Sequence, residues 1–373
     1  MARNDPDVHF MKMALRLAAR GAGITSPNPM VGAVIVKNGA VVGKGYHRIF
    51  GGAHAEVNAI RDAGESVAGA TIYVTLEPCN HYGQTPPCAK AVADAGISRV
   101  VFGMRDPNPG VAGGGAEQLK RAGIDVTGNV LESQCRRLNQ PFIKHATTGL
   151  PYVMLKAAAT LDGFIATSTG ESKWITGETA RRHAHRLRFY SDGVLVGIGT
   201  VMADDPLLTV RLKGKTAFRQ PVRIVLDSGL QIPADSQLVK TASMGSVLVF
   251  CGLDAPVDRE RILIGAGVQV IRVPAGISGL DLKHVLKELG RRRIISLLVE
   301  GGGRILGSFI EHGLADEFCF FFAPKLLADP GGISMLSSQP RLKIADCIRA
   351  YETGIKKCGE DMLVCGRFRE DPF

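Results

Sequence analysis

Four side chains constrain this chain more than any other feature: His54 and Glu56 in the run His54-Ala55-Glu56, Cys79 in Pro78-Cys79, and Cys88. An imidazole and two thiolates suit Zn²⁺, and they can share one ion only if the intervening strand and helix bring them together. The local pattern supports that arrangement. Residues 30–37 and 40–47 are β-rich runs joined by Asn38-Gly39, the pair favoured in a type I′ hairpin. The pattern then predicts a helix over 54–63, a strand over 71–76, a helix over 87–95 stopped by Gly96, and a strand over 99–103. Each ligand therefore sits at or near a helix start, where free N–H groups and the macrodipole favour thiolate. Three protein ligands leave the fourth tetrahedral position to water, as catalytic zinc requires, and water bound there ionises near neutral pH. Glu56, two residues from His54, can stand beside the metal without ligating it, which puts a proton carrier at the site.

The rest of the chain asks for a second domain. Its length is 373 residues, against roughly 100 to 200 per domain. Hydrophobic residues at 45% and charged residues at 21% are ordinary globular usage and exclude disorder, collagen and coiled coil as the main architecture. No apolar run approaches the roughly 18 residues of a membrane helix, so a soluble protein without membrane contact is expected. Asp5 reads as an N-cap with Pro6 at the first helical position, and the start lacks the long apolar region of a signal peptide. Eight cysteines are too sparse for a disulfide framework, which points to reduced thiols and the cytoplasm. The net charge of +10 divides evenly between residues 1–150 and the remainder. That excess suits anionic small molecules such as phosphates, or weak nucleic-acid contact, and selects neither.

A helix is expected over 131–148, then a linker at Thr147-Thr148-Gly149-Leu150-Pro151, giving domains 1–148 and 149–373. Strands follow at 152–158, 193–196, 222–227, 247–251, 268–273 and 296–300, with two late ones at 317–323 and 362–368 that read as antiparallel. The fold class is α/β in both halves. The glycine run Glu300-Gly301-Gly302-Gly303 follows a strand and opens a helix, an arrangement that offers N–H groups to a pyrophosphate. Leu306 stands where the last glycine of a dinucleotide fingerprint belongs, so the run is weak evidence alone.

Zinc deaminases carry H-x-E ahead of P-C-x-x-C, and here eight residues rather than two lie between the cysteines. With that spacing, Leu76-Glu77-Pro78-Cys79 through Pro87-Cys88, and Ser26-Pro27-Asn28-Pro29-Met30-Val31-Gly32-Ala33 upstream, resemble the bifunctional deaminase/reductase of riboflavin biosynthesis. The resemblance continues in Lys156-Ala157-Ala158-Ala159-Thr160-Leu161-Asp162-Gly163, in Ser172-Lys173-Trp174-Ile175-Thr176, and from Thr200 through Asp204-Asp205-Pro206 to Arg211. It spans nearly the whole chain. It implies a cytidine-deaminase-like α/β/α domain followed by a dihydrofolate-reductase-like α/β domain. The implied chemistry is deamination of a diaminopyrimidinone ribosylamine phosphate, then NADPH reduction of its ribosyl group to ribityl.

By the same resemblance, Zn²⁺ is held by His54, Cys79 and Cys88, Glu56 is catalytic and Asn28 holds the pyrimidine. Ala158, Trp174, Thr200, Asp204, Ser228 and Gly301, Gly302 and Gly303 bind NADPH. Ser172, Arg188, Leu208, Arg211 and Glu300 meet the substrate, with Arg188 and Arg211 as forks for its phosphate. Lys156 or Asp204 assists proton movement. Gln84, Asn80 and Phe164 depart from the family pattern. His81 reads as a solvated or loop-stabilising residue, and the remaining cysteines as small core or surface residues. Two competing readings are a nucleic-acid or nucleotide deaminase joined to an unrelated reductase, and a zinc-stabilised binding module without activity. The even charge and the second pocket argue against the first, so no nucleic-acid partner is expected; the placement of Glu56 argues against the second. Self-association is left open.

Overall fold

The computed structural model describes residues 5–64, 66–81, 86–108, 114–212, 219–277 and 279–370. Gln84 lies outside them. The chain divides into two compact units, one ending at Gly149 and the other beginning at Leu150.

The first unit starts with α1 (Pro6–Ala18), capped by Asp5, whose carboxylate accepts from the Asp7 N–H at 2.9 Å. There follow β1 (Gly32–Lys37), β2 (Ala40–Tyr46), α2 (Ala55–Ala63), β3 (Thr71–Leu76), α3 (Cys88–Asp94) and β4 (Arg99–Met104). The unit closes with α4 (Gly115–Arg121), β5 (Asp125–Thr127), α5 (Glu132–Leu138) and α6 (Gln140–Thr148). Its sheet runs β2-β1-β3-β4-β5, antiparallel around β1 and parallel from β3 to β5. Asn38 and Gly39 join β1 to β2 with φ of 52° and 78°, both left-handed as a type I′ turn requires. Helix α2 lies directly on β2. A Cβ at Gly43 or Gly45 would come within 2.4 or 2.3 Å of the Ala59 and Ala55 carbonyl oxygens. That backbone contact fixes where α2 begins, and hence where His54 stands.

The helix expected over 131–148 is instead two. Asn139, at φ −109°, breaks it into α5 and α6, and its side chain accepts from the Met30 N–H and donates to the Met30 carbonyl. A side chain that satisfies another segment's backbone outweighs one more helical hydrogen bond, and it anchors the loop that carries Asn28.

The second unit begins with β6 (Tyr152–Thr160), β7 (Phe164–Ala166), α7 (Glu178–Tyr190), β8 (Gly193–Gly197), α8 (Ile198–Asp204) and β9 (Val222–Leu226). Next come α9 (Gln237–Lys240), β10 (Val247–Cys251), α10 (Val257–Gly265), β11 (Gln269–Arg272), β12 (Ala275–Gly276) and β13 (Gly279–Leu280). The remainder is α11 (Leu282–Arg291), β14 (Ser296–Val299), α12 (Gly303–Glu311), β15 (Glu317–Ala323), β16 (Ile333–Ser334), β17 (Tyr351–Cys358) and β18 (Asp361–Arg367). Nine strands form one sheet in the order β11-β10-β9-β8-β14-β6-β15-β18-β17. Its inner strands, such as Gly193–Gly197 and Val247–Cys251, are buried along their whole length, as a parallel sheet covered on both faces demands. The two late strands read as antiparallel do pair that way, β15 with β18, while β15 runs parallel to its other neighbour, β6. Strand β17 escaped notice because Glu352–Lys357 are exposed and show no apolar alternation. Among the described residues no helix is long and apolar enough to cross a membrane.

Candidate functional site

In the first unit, His54 Nδ1 lies 3.1 Å from Cys88 Sγ and 3.6 Å from Cys79 Sγ, and the three donor atoms all fall within 4.8 Å of one another. Around one tetrahedral zinc, with Zn–S of about 2.3 Å and Zn–N of about 2.0 Å, such donors stand roughly 3.5 to 3.8 Å apart. The set fits that ion. His54 is the N-cap of α2 and Cys88 the first residue of α3, and Cys79 Sγ accepts from the Cys88 N–H at 3.3 Å.

Cys79 and His54 support each other's charge, the Cys79 contact raising the imidazole pKa. The Cys88 thiol bonds to Cys79 and, with His54, holds Cys79 down to about 4, while the same contact pushes Cys88 up. Glu56 is 3% exposed, and burial first, then the Cys79 charge, pushes its carboxyl up to about 7. A carboxyl so held exchanges protons near neutral pH.

Asn28 meets a residue that the motifs did not single out. His47 is buried, and its Nδ1 lies 3.2 Å from the Ala53 carbonyl and its Nε2 3.2 Å from Asn28 Nδ2. The Ala53 contact calls for a proton on Nδ1, which leaves Nε2 to accept from the Asn28 amide. Burial lowers the His47 pKa and favours that neutral form. Asp106 was also missed, and burial raises its carboxyl beside Glu77, His81 and Cys79. Neither belongs to a spaced motif; His47 follows β2, against which α2 packs, and Asp106 follows β4. His81 is exposed.

The second unit holds a cavity of about 530 Å³. Its walls include Ala158, Ser172, Trp174, Arg188, Thr200, Asp204, Leu208, Arg211, Glu300, Gly301 and Gly302, which the sequence had assigned from five separate segments. Two assigned residues are not on the wall. Ser228 is exposed beyond β9, and Gly303 is packed under β16, where a Cβ would come within 2.4 Å of the Ser334 carbonyl oxygen. Gly303 therefore serves close packing of α12, whereas Gly301 and Gly302 face the cavity.

Glu300 organises this wall. Arg188 donates to it twice, through Nε at 2.6 Å and Nη2 at 2.9 Å, and Lys156 Nζ adds a third contact at 3.4 Å. Burial opposes its charge, yet Arg188 and Lys156 hold the Glu300 carboxyl well below its usual range. The Arg188 fork expected for phosphate is thus committed to a carboxylate, and Nη1 donates to the Thr209 carbonyl. Arg211 donates to Thr209 Oγ1 at 3.2 Å, and its own N–H donates to His185 Nδ1 at 3.4 Å. Asp204 accepts from Ser172 Oγ at 3.1 Å and pairs with Lys173. The turn between them and Arg211 is strained, with Asp205 at φ 42° and Leu208 at φ 53°. Trp174 is 65% exposed at the rim, with the Arg181 guanidinium 4.6 Å from its ring centre. Phe164 forms part of β7, away from these contacts.

Two family models match the chain: the cytidine and deoxycytidylate deaminase zinc-binding region over residues 4–104 and the RibD C-terminal domain over 151–364. The riboflavin biosynthesis protein RibD of Aquifex aeolicus is 43% identical over 96% of this chain and 97% of its own. That of Escherichia coli is 42% identical over 96% and 98%. Among solved structures, Acinetobacter baumannii RibD superposes with a TM-score of 0.87 at 37% identity, covering 97% of this chain and 98% of the other. A Thermotoga maritima diaminohydroxyphosphoribosylaminopyrimidine deaminase/5-amino-6-(5-phosphoribosylamino)uracil reductase gives 0.85 at 37%, with the same coverage.

Proposed function

The chain belongs to the RibD family, the bifunctional zinc-dependent deaminases and NADPH-dependent reductases of riboflavin biosynthesis, and from that premise we propose how its residues divide the work. Residues 1–148 carry out the deamination and residues 149–373 the reduction. The nearly full-length match to bifunctional relatives favours this over a nucleic-acid deaminase joined to an unrelated reductase.

In the first unit, His54, Cys79 and Cys88 would hold Zn²⁺, which when bound supplies a nucleophile from water at neutral pH. Asn28, oriented by His47, hydrogen-bonds the pyrimidine edge. Glu56 takes the proton from the attacking water and passes it to the departing 2-amino nitrogen. The observation that carries this reading is a carboxyl only 3% exposed, two residues from His54 in a three-donor cluster with the spacing of a zinc site.

In the second unit, NADPH supplies the hydride that reduces the opened sugar. Ala158, Trp174, Thr200, Asp204, Gly301 and Gly302 bind NADPH, and Ser172, Arg188, Leu208, Arg211 and Glu300 face the sugar phosphate. Arg211 takes the phosphate, since Arg188 is engaged by Glu300. The two groups considered for proton movement both line the cavity, Lys156 against Glu300 and Asp204 against Ser172 and Lys173.

The substrate is the diaminopyrimidinone ribosylamine phosphate, and the setting is cytoplasmic, in keeping with eight free thiols. Self-association completes the proposal: the outer edge of β17 is open to strand pairing, and light scattering that returns a multiple of 39.7 kDa would support it. The central test is Glu56→Gln. The amide keeps the size but cannot carry the proton, so ammonia release should fall by about 10² to 10⁴-fold with zinc content and NADPH oxidation unchanged. Undiminished ammonia release by this variant would falsify the role of Glu56.

A further inference from the structure

We infer that Asp361, on the hairpin ending the nine-stranded sheet, is a positioning residue for the NADPH-binding loop 172–176. The inference rests on the reading of that loop as part of the cofactor site. Helix α7 begins after Gly177, which as N-cap has no side chain to offer. In a capping box the N-cap N–H is met by a Glu or Gln at the third helical position, and here that position is Ala180. The missing acceptor comes from 184 residues away: Asp361 Oδ2 accepts from the Gly177 N–H at 2.9 Å. An anionic oxygen at a helix start also opposes the positive end of the macrodipole.

Gly177 is the junction between two sets of cavity residues. Ser172 to Thr176 precede it, and Arg181, His185 and Arg188 follow on α7. The loop is fastened by four hydrogen bonds, besides the Lys173–Asp204 ion pair. Ser172 is held by Asp204, the Trp174 carbonyl by Lys325 at 2.9 Å, the Thr176 carbonyl by Arg181 at 2.6 Å and the Gly177 N–H by Asp361. Asp361 differs from the other three in being 2% exposed, so water cannot take its place when it is removed. The hairpin turn presses on the same helix start, since a Cβ at Gly359 would lie 3.0 Å from Thr179 Cβ. The far end of α7 is secured separately, by Arg188 on Glu300. The carboxylate therefore acts first on the end of the loop nearest Gly177, which carries the cofactor residue Trp174, and less on Ser172, which Asp204 holds.

The test uses the full-length, zinc-loaded enzyme with the deaminated ribosylamine phosphate as substrate. Asp361→Ala should raise KM for NADPH about ten-fold, equivalent to about 1.4 kcal/mol. Turnover at saturating NADPH should be retained, because a loosened loop is re-ordered at the expense of binding. KM for the sugar phosphate should rise less than that for NADPH, and the rate of ammonia release should stay within about two-fold, the range of an untouched site. Asp361→Asn, which keeps the acceptor oxygen, should restore NADPH affinity. Gly177→Pro removes the donor instead, at a φ of −72° that proline tolerates, and should reproduce the Asp361→Ala loss even if that variant fails to fold. Wild-type NADPH affinity in a folded Asp361→Ala or Gly177→Pro variant overturns the inference, as does an equal fall for both substrates that Asp361→Asn does not repair. Trp174→Ala is the control for the premise. If it too leaves NADPH affinity unchanged, the loop is not part of the cofactor site; if it alone lowers affinity, only the role of Asp361 falls.

Discussion

The two sites solve the burial of charge in opposite ways. In the first, two thiols, an imidazole and the Glu56 carboxyl crowd together, and the Cys88 thiol and His54 hold the charge of Cys79. In the second, Glu300 is already neutralised from within the chain by Arg188 and Lys156. One site has the donor spacing that suits an ion; the other is held by ion pairs within the chain. Buried ionic groups tolerate partner loss poorly, so the two halves should fail differently when disturbed.

Metal removal draws the sharpest line. Chelator-treated protein, or Cys88→Ser, should lose ammonia release entirely while still oxidising NADPH when given the deaminated substrate. If reduction also stops while circular dichroism shows an intact fold, the division between the units is wrong. The reciprocal disturbance is Arg188→Ala, which leaves the buried Glu300 with Lys156 alone and should destabilise the second unit by about 3 to 5 kcal/mol. Calorimetry should show its transition shifting down while zinc content and ammonia release persist. A Tm shift in the zinc-bearing unit instead would erase the contrast.

Arg211→Ala asks less of the fold. It removes one charge-assisted contact to phosphate, and KM for the sugar phosphate should rise about ten-fold, with ammonia release spared. An unchanged KM would return the phosphate to Arg188. The smallest expected effect is one of pH. Burial, then Arg188 and Arg211, lowers the His185 pKa from 6.5 to about 4. Between those values the unfolded chain binds more protons, so stability of the second unit should rise with pH through that window and be lost as pH falls through it. His185→Gln should flatten the thermal-shift profile between pH 4 and 6.5; an equally steep profile in that variant assigns the dependence elsewhere.

Much of the first site was legible because its chemistry is local. His54, Cys79 and Cys88 each stand at the end of a short element, and the Asn38-Gly39 turn fixes the hairpin ahead of them. Asn139 was illegible for the converse reason: a helix-compatible residue breaks its helix to bond Met30, a partner 109 residues away. His47 and Asp106 likewise acquire their surroundings from other segments. In the second unit the cavity residues could be named by resemblance, but their mutual bonds could not. The fork of Arg188 looked free for phosphate until β14 brought Glu300 beside it.

The sequence alone determined which atoms are available: the donors, the acid at Glu56, the parallel strands buried on both faces, and the turn residues. Those follow from side-chain chemistry and backbone preference over a few neighbouring residues. Only the tertiary structure decided which groups neutralise one another, since a charge pair depends on distance in space and not along the chain. Lys156, Arg188 and Glu300 meet because β6, α7 and β14 pack together, and Asp361 reaches Gly177 because the last hairpin folds back onto the start of α7.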